Sequence, residues 1–384
     1  MSKIEEMIKR LCPNGVERVR LDSLLDYEQP TRYIVNSTEY DSKHSIPVLT
    51  AGQRFILGYT NEEDGIYKAS PQNPTIIFDD FTTGFHWVDF DFKVKSSAMK
   101  MLKLIESKKE NNFRYIYMAM KTIDYIPTNH TRHWISIYSK FEIPLPPLTI
   151  QREIVSVLDS FTTLIDKMKQ EVELRKKQME YYREKLLLFD EHEAGFVKIK
   201  DLFDTKNGYT PSTKNPDFWT DKGIPWVKME DIRENGTVLS DSAKHITMSA
   251  VKGSKLFNAN SIILATSATI GIHALVKVPH LSNQRFTNIY PKKEYENKID
   301  MKYAYYYFFK IDRWCKEHVT LGNFAGVNMS DFYDYDFPVP TLSTQRSIVS
   351  TLDSFEQYIS KLERLITLRE KQYAYYREKL LTFE

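Results

Sequence analysis

A block of 47 residues occurs twice in this chain, at residues 144–190 and again at 338–384, with a constant offset of 194 and no gaps. The two copies are identical at 26 of the 47 positions, including a QR-x-IVS-x-LDSF start and a YYREKLL end. Identity at this level over an ungapped block indicates that one structural unit was duplicated within the chain. The organisation of the remaining sequence must accommodate two copies of that unit.

Each copy predicts one long α-helix. Prolines that disfavour helix precede a candidate N-cap, Thr149 or Ser343, and roughly 40 residues without Gly or Pro follow. Apolar residues then recur at alternating steps of four and three, a heptad pattern that Arg175 and Arg369 interrupt at equivalent places. We expect the two apolar seams to bury each other in a coiled coil, and two separately homodimerising helices are the alternative. The seam positions are Ile154, Leu158, Phe161, Ile165, Met168, Val172, Met179, Tyr182, Leu186 and Phe189 in the first copy and Ile348, Leu352, Phe355, Ile359, Leu362, Ile366, Tyr373, Tyr376, Leu380 and Phe383 in the second.

The segments that precede each helix repeat more weakly. Residues 19–26 match 197–204 at an offset of 178, residues 76–78 match 262–264 at 186, and residues 114–117 match 302–305 at 188. Gly84-x-His86 matches Gly271-x-His273 at an offset of 187. Since the offset only increases along the chain, we predict two homologous domains, the second of which carries insertions. Short apolar runs bounded by Gly, Asn, Asp and Pro favour strands, which predicts mixed α and β domains.

Two further helices are expected. The aromatic run at residues 303–309 could stack on bases, but its amphipathic counterpart at 115–120 favours a buried helix. Near the N-terminus, Ser2 and Glu5 form a possible capping box ahead of apolar residues at helical spacing, and residues 13–15 supply a stop. We expect this short amphipathic helix to pack against the far end of the second long helix.

Composition bounds the class of protein. With 384 residues and 42% hydrophobic content the chain can bury two cores, and its net charge of +2 neither requires nor excludes nucleic acid. The sequence has no stretch long enough to span a bilayer and no signal-peptide core, which predicts a cytoplasmic protein. Cys12 and Cys315 are isolated, so neither a disulfide framework nor a zinc cluster is expected.

Catalytic motifs are scarce. The sequence has no Gly-rich phosphate loop, no G-K-[ST] and no G-x-S-x-G. We interpret His130-x-x-His133 as polar loop chemistry. Residues 215–218 (NPDF) are similar to the [ND]-P-P-[FY] loop of amino-methyltransferases, but Asp217 replaces the second proline. A self-sufficient modification enzyme and a coiled-coil scaffold that binds protein or sugar remain alternative hypotheses.

Polar clusters suited to hydrogen bonding are the strongest candidates for a site. They combine hydroxyls, amides and arginines, the groups that contact phosphates and base edges, although solvated turns use the same residues. His86 either belongs to a base-reading loop or to a turn inherited with the fold. The candidate DNA-binding residues are Thr82, Thr83, His86, Arg132, His133, Thr266, Ser267, Thr269, Asn283, Gln284 and Arg285.

A family resemblance emerges from motifs spread over the whole chain. They are residues 11–17 (LCPNGVE), residues 132–136 (RHWIS) leading into residues 143–147 (IPLPP), residues 265–271, residues 281–284 (LSNQ), and the doubled helices. Together these segments resemble the specificity (S) subunits of type I restriction-modification systems. The resemblance implies an α+β fold of two homologous target recognition domains joined by two long helices, which form an antiparallel coiled coil with a pseudo-two-fold internal repeat. The expected segments are 1–142 (N-terminal helix and recognition domain 1), 143–190 (helix 1), 191–337 (recognition domain 2) and 338–384 (helix 2).

The resemblance also implies a function. Each recognition domain is expected to read one half of a bipartite, asymmetric DNA target, while the coiled coil sets the spacer and docks methyltransferase subunits. The chain would be a non-catalytic subunit, required for the methyltransferase and endonuclease activities of a complex with DNA, two methyltransferase (M) subunits and two restriction (R) subunits. It would bind no cofactor itself, and S-adenosylmethionine, ATP and Mg would belong to the partners.

Residues that both helices retain without need of the seam are candidates for partner docking. The alternative is that these residues are retained as N-terminal helix caps and as inherited helix-surface charge. The candidate docking residues are Gln151, Arg152, Arg183, Glu184, Gln345, Arg346, Arg377 and Glu378.

Overall fold

The structure is a computed structural model that describes residues 3–52, 54–129, 131–320 and 325–383. It divides into two compact units. Unit 1 is Met1–Lys169 with Arg364–Glu384, and unit 2 is Gln170–Glu363. Each long helix is thus shared between the units, whereas boundaries drawn along the sequence keep each helix whole.

The helices and strands are as follows. The α-helices are α1 (Lys3–Leu11), α2 (Phe113–Met120), α3 (Leu148–Leu186), α4 (Ile199–Leu202), α5 (Met229–Asn235), α6 (Met301–Glu317), α7 (Met329–Tyr333) and α8 (Leu342–Thr382). The strands of unit 1 are β1 (Arg18–Arg20), β2 (Leu25–Glu28), β3 (Ile46–Leu49), β4 (Ile56–Thr60), β5 (Thr75–Asp79), β6 (Phe85–Val88), β7 (Lys93–Val94), β8 (Met99–Leu104) and β9 (Glu142–Pro144). Those of unit 2 are β10 (Gly195–Lys198), β11 (Phe203–Asn207), β12 (Trp219–Thr220), β13 (Ile224–Val227), β14 (Val238–Leu239), β15 (His245–Ile246), β16 (Ser261–Ala265), β17 (His273–Val276), β18 (Leu281–Ser282), β19 (Phe286–Pro291), β20 (Val319–Thr320), β21 (Gly326–Val327) and β22 (Asp336–Val339).

Unit 1 is built on an antiparallel sheet of order β2-β8-β5-β6. Because side chains alternate along a strand, Ile76 and Phe78 face a core formed with α2 and the start of α3, while Ile77 faces the opposite core. That second core lies beneath a three-stranded sheet of order β4-β3-β7. Both faces of the central sheet are therefore covered, which explains why β5 is apolar almost throughout.

Unit 2 repeats this plan with additions. Its main sheet has the order β11-β19-β16-β17-β14, in which β14 is an extra strand parallel to β17. Ile262 and Leu264 face the core with α6, and Ile263 faces the opposite core. A second sheet of order β12-β15-β13-β18 is also larger than its counterpart in unit 1. These additions correspond to the insertions that the increasing offset predicts.

The aromatic run at residues 303–309 lies within α6, which confirms the expected buried helix. Tyr303, Tyr306 and Phe308 are fully buried in the main core of unit 2. The same core includes Leu187, directly after α3, and Ile348 at the start of α8. The long helices are therefore part of the globular core and not an appendage to it.

The two long helices pair antiparallel within each unit. In unit 1, the rings of Phe161 and Tyr376 stack with centroids 5.6 Å apart, and Lys169 Nζ lies 2.7 Å from Glu370. Because the residue number rises along α3 as it falls along α8, the helices run in opposite directions. In unit 2, Tyr182 stacks on Phe355 at 5.6 Å, and Lys176 Nζ lies 2.9 Å from Glu363.

The heptad seam is confirmed by burial. The buried seam residues are Ile154, Leu158, Ile165 and Val172 on α3 and Ile348, Leu352, Ile359, Ile366 and Leu380 on α8. At the interruption in α3, the Arg175 guanidinium lies 5.6 Å from the ring centre of Tyr358. The helices of one chain pair with each other, as the intramolecular interpretation predicts.

Helix α1 packs where the sequence predicts, at the end of α8. Ile4 is buried in the same core as Leu380 and Leu381. Lys379 Nζ donates to Glu5 Oε1 at 2.6 Å, and Lys3 Nζ donates to Glu153 Oε2 on α3 at 2.8 Å. Ser2 of the proposed capping box lies outside the described residues.

The proposed equivalence of His86 and His273 is wrong by one residue of strand register. Phe78 pairs with Phe85 in unit 1, whereas its counterpart Leu264 pairs with His273 in unit 2. His273 is therefore equivalent to Phe85, and both face the helix side, where Phe85 contacts Tyr117 and His273 contacts Tyr305. A shift of one residue places a side chain on the opposite face of a sheet, so His86 lies on the other side.

His280 is a buried neutral base in unit 2. Its Nδ1 donates to Val278 O at 3.0 Å, which leaves Nε2 to accept from Asn288 Nδ2 at 3.3 Å. Protonation of Nε2 would direct its new hydrogen at a donor, and burial lowers the pKa of His280 from 6.5 to about 4. The folded state thus resists protonation at a pH where the unfolded state accepts it.

We expect His280 to make the stability of unit 2 depend on pH between 6.5 and about 4. Since the folded pKa is depressed, the stabilising contribution is complete above pH 6.5 and is lost as pH falls, by up to about 1.4 kcal/mol per pH unit. Denaturant midpoints measured across this range should fall less steeply in His280→Gln than in the wild type. The exposed His192→Gln is the matched control and should follow the wild-type curve. Parallel curves for His280→Gln and wild type would contradict the assignment.

Candidate nucleic-acid interface

Three polar segments of unit 2 meet at one end of the main sheet. Thr266 N donates to Arg285 O at 3.1 Å, which joins the turn after β16 to the turn before β19. Tyr209 N donates to Ser282 O at 2.8 Å, and Thr210 Oγ1 donates to Gln284 Oε1 at 2.6 Å. Two of the clusters identified in the sequence, 266–269 and 282–285, are therefore neighbours, and residues 208–210 join them.

A glycine permits this close approach. A Cβ atom at Gly208 would clash with the backbone carbonyls of Ser282 and Asn283, so only glycine fits between the two segments. Asn283 Oδ1 accepts from Arg285 N at 3.0 Å, so the Asn283 side chain shapes the turn. Gln284 and Arg285 are exposed, with their backbone held in place from both sides.

The hydroxyls of this cluster differ in their availability. Thr287 Oγ1 donates to Asn207 Oδ1 at 2.9 Å and lies 3.2 Å from Thr266 Oγ1, so the Thr266 hydroxyl donates to Thr287. Ser267 and Thr269 are half-exposed on the adjacent turn. The side chains best placed to meet a ligand are therefore Ser267, Thr269, Gln284 and Arg285.

In unit 1 the corresponding loops are joined by Asp80. The Asp80 carbonyl accepts from His133 N at 2.8 Å, and its Oδ1 accepts from Trp134 N at 2.7 Å. Its Oδ2 lies 3.1 Å from Lys100 Nζ, and both side chains are only 2% exposed. Lys100 also lies over the ring of Tyr27, 4.3 Å from its centre. The two hydrogen bonds that Asp80 accepts hold the turn at 79–84 beside residues 132–134, and the ion pair with Lys100 neutralises the buried Asp80 carboxylate.

The same backbone bond occurs in unit 2, where Val327 N donates to Thr266 O at 2.9 Å. Thr266 therefore corresponds to Asp80, and the two units hold equivalent loops in equivalent places. Sequence reasoning did not identify Asp80 or Lys100 because threonines stand at the matching positions of the second unit. An aspartate directly after an apolar strand is the one signal that was available.

Two predicted DNA contacts of unit 1 are corrected by burial. His133 is 1% exposed, and its Nδ1 and Nε2 are bonded to Tyr125 Oη at 3.0 Å and Asn129 O at 3.1 Å. Thr83 is also buried, and its hydroxyl donates to Thr82 O at 2.7 Å. Burial leaves neither side chain accessible to a ligand at the surface, so we remove both from the candidate interface. His130, the other half of the His pair, lies outside the described residues.

The remaining candidates in unit 1 are accessible. Thr82 and Arg132 are exposed, and His86 is half-buried with Nε2 3.1 Å from Gly52 O. The His86 ring packs against Phe55 with centroids 4.6 Å apart, so residues 54–55 join the site. Exposed Arg54 in that loop is a candidate that sequence reasoning missed.

Comparison with known proteins identifies the family. The sequence matches the family described as Type I restriction modification DNA specificity domain over residues 13–174 and 191–370. The chain belongs to this type I DNA specificity family. The EcoR124I/EcoR124II specificity subunit of Escherichia coli is 40% identical over 406 aligned residues, which span 100% of this chain and 98% of that protein.

Solved structures of low sequence identity share the fold. The S subunit of a type I restriction-modification system from M. genitalium has a TM-score of 0.58 at 14% identity, covering 96% of this chain and 97% of that one. A chain from a study of complex assembly and conformational transition in the type I R-M system has a TM-score of 0.56 at 14% identity, covering 96% and 98%.

Some features of the alternative hypotheses have structural explanations in this specificity-family chain. Asn215 Oδ1 accepts from Asp217 N at 3.1 Å and so caps the short turn Pro216–Phe218. Among the residues that the structure describes, no cluster of His, Cys, Asp or Glu is suited to a metal ion. Within the same described ranges, no helix has the length and apolar character needed to cross a membrane.

Gln151 and Gln345, two predicted docking residues, act inside the protein. Gln345 is fully buried, its Oε1 accepts from Asp300 N at 2.7 Å, and its Nε2 donates to Lys298 O and Pro340 O at 2.8 Å each. Gln151 repeats this with Asn112 N at 2.8 Å and Pro146 O at 2.8 Å. Gln151 thus links the start of α3 to the start of α2, and Gln345 links the start of α8 to the start of α6. We therefore remove both from the docking surface.

Arg183 and Glu184 likewise have partners within unit 2. Both Glu184 oxygens accept from Arg313 on α6 at 2.7 Å, and the Arg183 guanidinium lies 4.2 Å from the ring centre of Phe309. These contacts hold α6 against α3. They favour the alternative in which the shared residues reflect helix capping and inherited surface charge. Arg152, Arg346 and Glu378 are exposed and Arg377 is half-exposed, so these four remain candidates.

Exposed apolar residues give a stronger docking signal that sequence reasoning missed. Leu174 and Tyr181 on α3 are 59% and 60% exposed, and their copies Leu368 and Tyr375 on α8 are 53% and 59% exposed. Within each helix the two lie one heptad apart on the face opposite the seam. The neighbouring exposed pairs 173/367, 176/370 and 180/374 have diverged. Identity at exposed apolar positions among diverged neighbours was the available signal.

We expect Gln345→Ala to destabilise unit 2. The substitution leaves the Asp300 N–H and the Lys298 carbonyl buried without their partner, which should lower the free energy of unfolding by about 2 to 4 kcal/mol. Denaturant unfolding followed by circular dichroism measures the change. The exposed Gln357→Ala on the same helix is the matched control and should change stability by less than about 0.5 kcal/mol. Equal effects of the two substitutions would show that the hydrogen bonds of Gln345 do not stabilise unit 2.

Proposed function

We propose that this chain is the DNA sequence-specificity subunit of a type I restriction-modification complex, in which unit 1 reads one half of a bipartite target and unit 2 reads the other. The observation that carries the proposal is the pair of equivalent loop clusters with different side chains. Thr82 and Arg132 are exposed in one cluster, and Gln284 and Arg285 in the other. Arginine and glutamine side chains read base edges by bidentate hydrogen bonds. Because the two sets differ, the two half-sites should differ in sequence.

The coiled coil is proposed to set the unread spacer between the half-sites. Helices α3 and α8 contain 39 and 41 residues. At about 1.5 Å per residue each extends over roughly 60 Å, which corresponds to about 18 base pairs at 3.4 Å each. A helix of this length supports half-sites more than one turn of DNA apart.

The catalytic steps are proposed to belong to partner subunits. Methyltransferase subunits would use S-adenosylmethionine, and restriction subunits would use ATP and Mg, while this chain supplies recognition without catalysis. The internal repeat supports two subunits of each kind, since each unit carries one copy of the same exposed helix face. The name of the E. coli relative, a specificity subunit of a type I restriction enzyme, supports a role in a complex with other subunits. The cytoplasmic location remains a prediction from composition.

We expect arginine substitutions to change one half of the target at a time. Arg132→Ala should affect only the half-site read by unit 1, and Arg285→Ala only the half-site read by unit 2. A lost bidentate guanine contact costs about 1 to 3 kcal/mol and relaxes one position, whereas a lost phosphate contact weakens all sequences alike. Methylation-sensitive sequencing of DNA from cells expressing the complete system measures which sequences are methylated and to what extent, and so distinguishes a relaxed position from a general weakening.

The control is Arg233→Ala, which removes an exposed arginine on α5 outside the cluster and should leave the target unchanged. Unaltered affinity and target in both cluster variants would remove these arginines from the interface. A change in both half-sites caused by one substitution would contradict the assignment of one half-site to each unit.

We expect the exposed apolar pair on each helix to dock one methyltransferase subunit. Leu174→Asp with Tyr181→Asp should reduce the complex from two methyltransferase subunits to one, because aspartates cannot enter an apolar interface without a large desolvation cost. Adding Leu368→Asp and Tyr375→Asp should abolish docking. Native mass spectrometry of the purified complex counts the subunits. Glu180→Ala, which copies the residue of the second helix, is the control, and two subunits retained by the fourfold variant would refute the docking role.

A further inference from the structure

A groove in unit 2 lies between the last turns of α3 and the first turns of α8. It has a volume of about 640 Å³ and combines apolar with polar side chains. Two charged groups, Lys185 and Glu193, line it, and Glu193 accepts from Asp190 N at 3.4 Å. The lining residues that matter below are Lys185, Leu186, Thr344, Ser347 and Ile348.

The corresponding place in unit 1 is filled. Subtracting or adding the repeat offset of 194 converts these five of the nine lining residues into Lys379, Leu380, Ile150, Glu153 and Ile154. These are the residues on which α1 packs. Ile4 is 4% exposed in one core with Ile150, Ile154 and Leu380. Lys3 pairs with Glu153 at 2.8 Å and Glu5 with Lys379 at 2.6 Å.

The chain thus contains two copies of one groove, and in unit 1 the groove is occupied by α1 of the same chain. That ligand is a short amphipathic helix with an apolar stripe, the carboxylate of Glu5 against the lysine, and the cation of Lys3 two residues earlier against Glu153. Helix α1 comes before the first repeat and has no second copy to fill the groove of unit 2.

We propose that the groove of unit 2 receives an amphipathic helix from a partner subunit, with a carboxylate of that helix against Lys185. The identity of the partner as a subunit of the complex rests on the proposed function. Lys185 is retained from the occupied groove, so the carboxylate should be retained as well. Ser347 replaces Glu153, so the incoming helix needs no cation at the position of Lys3.

The differences between the grooves also decide against α1 of a second copy as the occupant. Its own groove offers Ile150 and Glu153, where unit 2 offers Thr344 and Ser347. Helix α1 therefore gains an apolar contact and an ion pair by staying in its own unit. A helix without a basic residue at that position loses nothing in unit 2.

The experiment uses a fluorescent peptide with the sequence of residues 1–14 as a helical probe of the full chain, followed by fluorescence anisotropy. Saturable binding at one site is expected, because the groove retains Lys185 for the carboxylate of Glu5 and Leu186 and Ile348 for the apolar stripe, although it lacks the partner of Lys3. Lys185→Glu should weaken binding at least about 5-fold, and a Glu5→Lys peptide should restore it. Ser347→Glu should strengthen binding by about 2- to 5-fold, because it recreates the partner of Lys3. Lys177→Glu, an exposed charge reversal elsewhere on α3, is the control and should have no effect.

Hydrogen exchange locates the probe. Protection at 185–189 and 343–348 supports the proposal, both with the peptide and in the assembled complex. Absence of binding, indifference to Lys185→Glu and Ser347→Glu, or protection confined to 149–154 through exchange with α1 would each overturn it. The peptide assay contains neither DNA nor partner, so it distinguishes the two conclusions. Correct methylation without peptide binding refutes only the groove, and peptide binding without DNA specificity refutes only the proposed function.

Discussion

The pairing of one helix with its own duplicate is the interaction on which both units depend. Within unit 1 the core includes Leu158 from α3 and Leu380 and Leu381 from the end of α8. Within unit 2 it includes Leu187, directly after α3, and Leu352 from α8. Unit 1 is therefore completed by a segment far away in the sequence, residues 364–384, whereas unit 2 is the continuous segment 170–363, whose two helical ends pair with each other. Loop closure over such distances costs only slowly increasing entropy, and the buried apolar area of the seam offsets that cost.

The sequence allowed prediction of those elements whose information is local and repeated. The heptad spacing placed α3 and α8, and the amphipathic pattern of α1 with its expected partner agreed with the contacts of Ile4 and Glu5. It failed where one residue decides the outcome. Gly84-x-His86 and Gly271-x-His273 look alike, yet strand pairing shows that Phe85 is the structural equivalent of His273. Register depends on hydrogen bonds between strands, and a motif of three residues does not determine which residues pair.

Burial explains the other differences between expectation and structure. Gln151 and Gln345 are predicted as docking residues because both helices retain them although the seam does not require them, but each satisfies backbone groups that would otherwise be buried without partners. The internal repeat then separates two kinds of identity. Identity at a buried polar position is explained by its hydrogen bonds, as for Gln345. Identity at an exposed apolar position, as for Leu174 and Leu368, is not explained by burial, and under the proposed function it marks a contact with another molecule.

The two loop clusters show how the fold permits a change of target. Asp80 and Thr266 accept the same backbone hydrogen bond, from His133 N and Val327 N, although one belongs to a buried ion pair and the other to a chain of hydroxyls. The ion pair carries a desolvation cost that the threonines avoid, so the side chains at this position are not interchangeable one at a time. The backbone bond is common to both units and holds equivalent loops side by side in each. Exposed residues beside it, such as Arg132 and Arg285, can therefore vary without disturbing the sheet, which is the condition under which a recognition surface diverges while its scaffold does not.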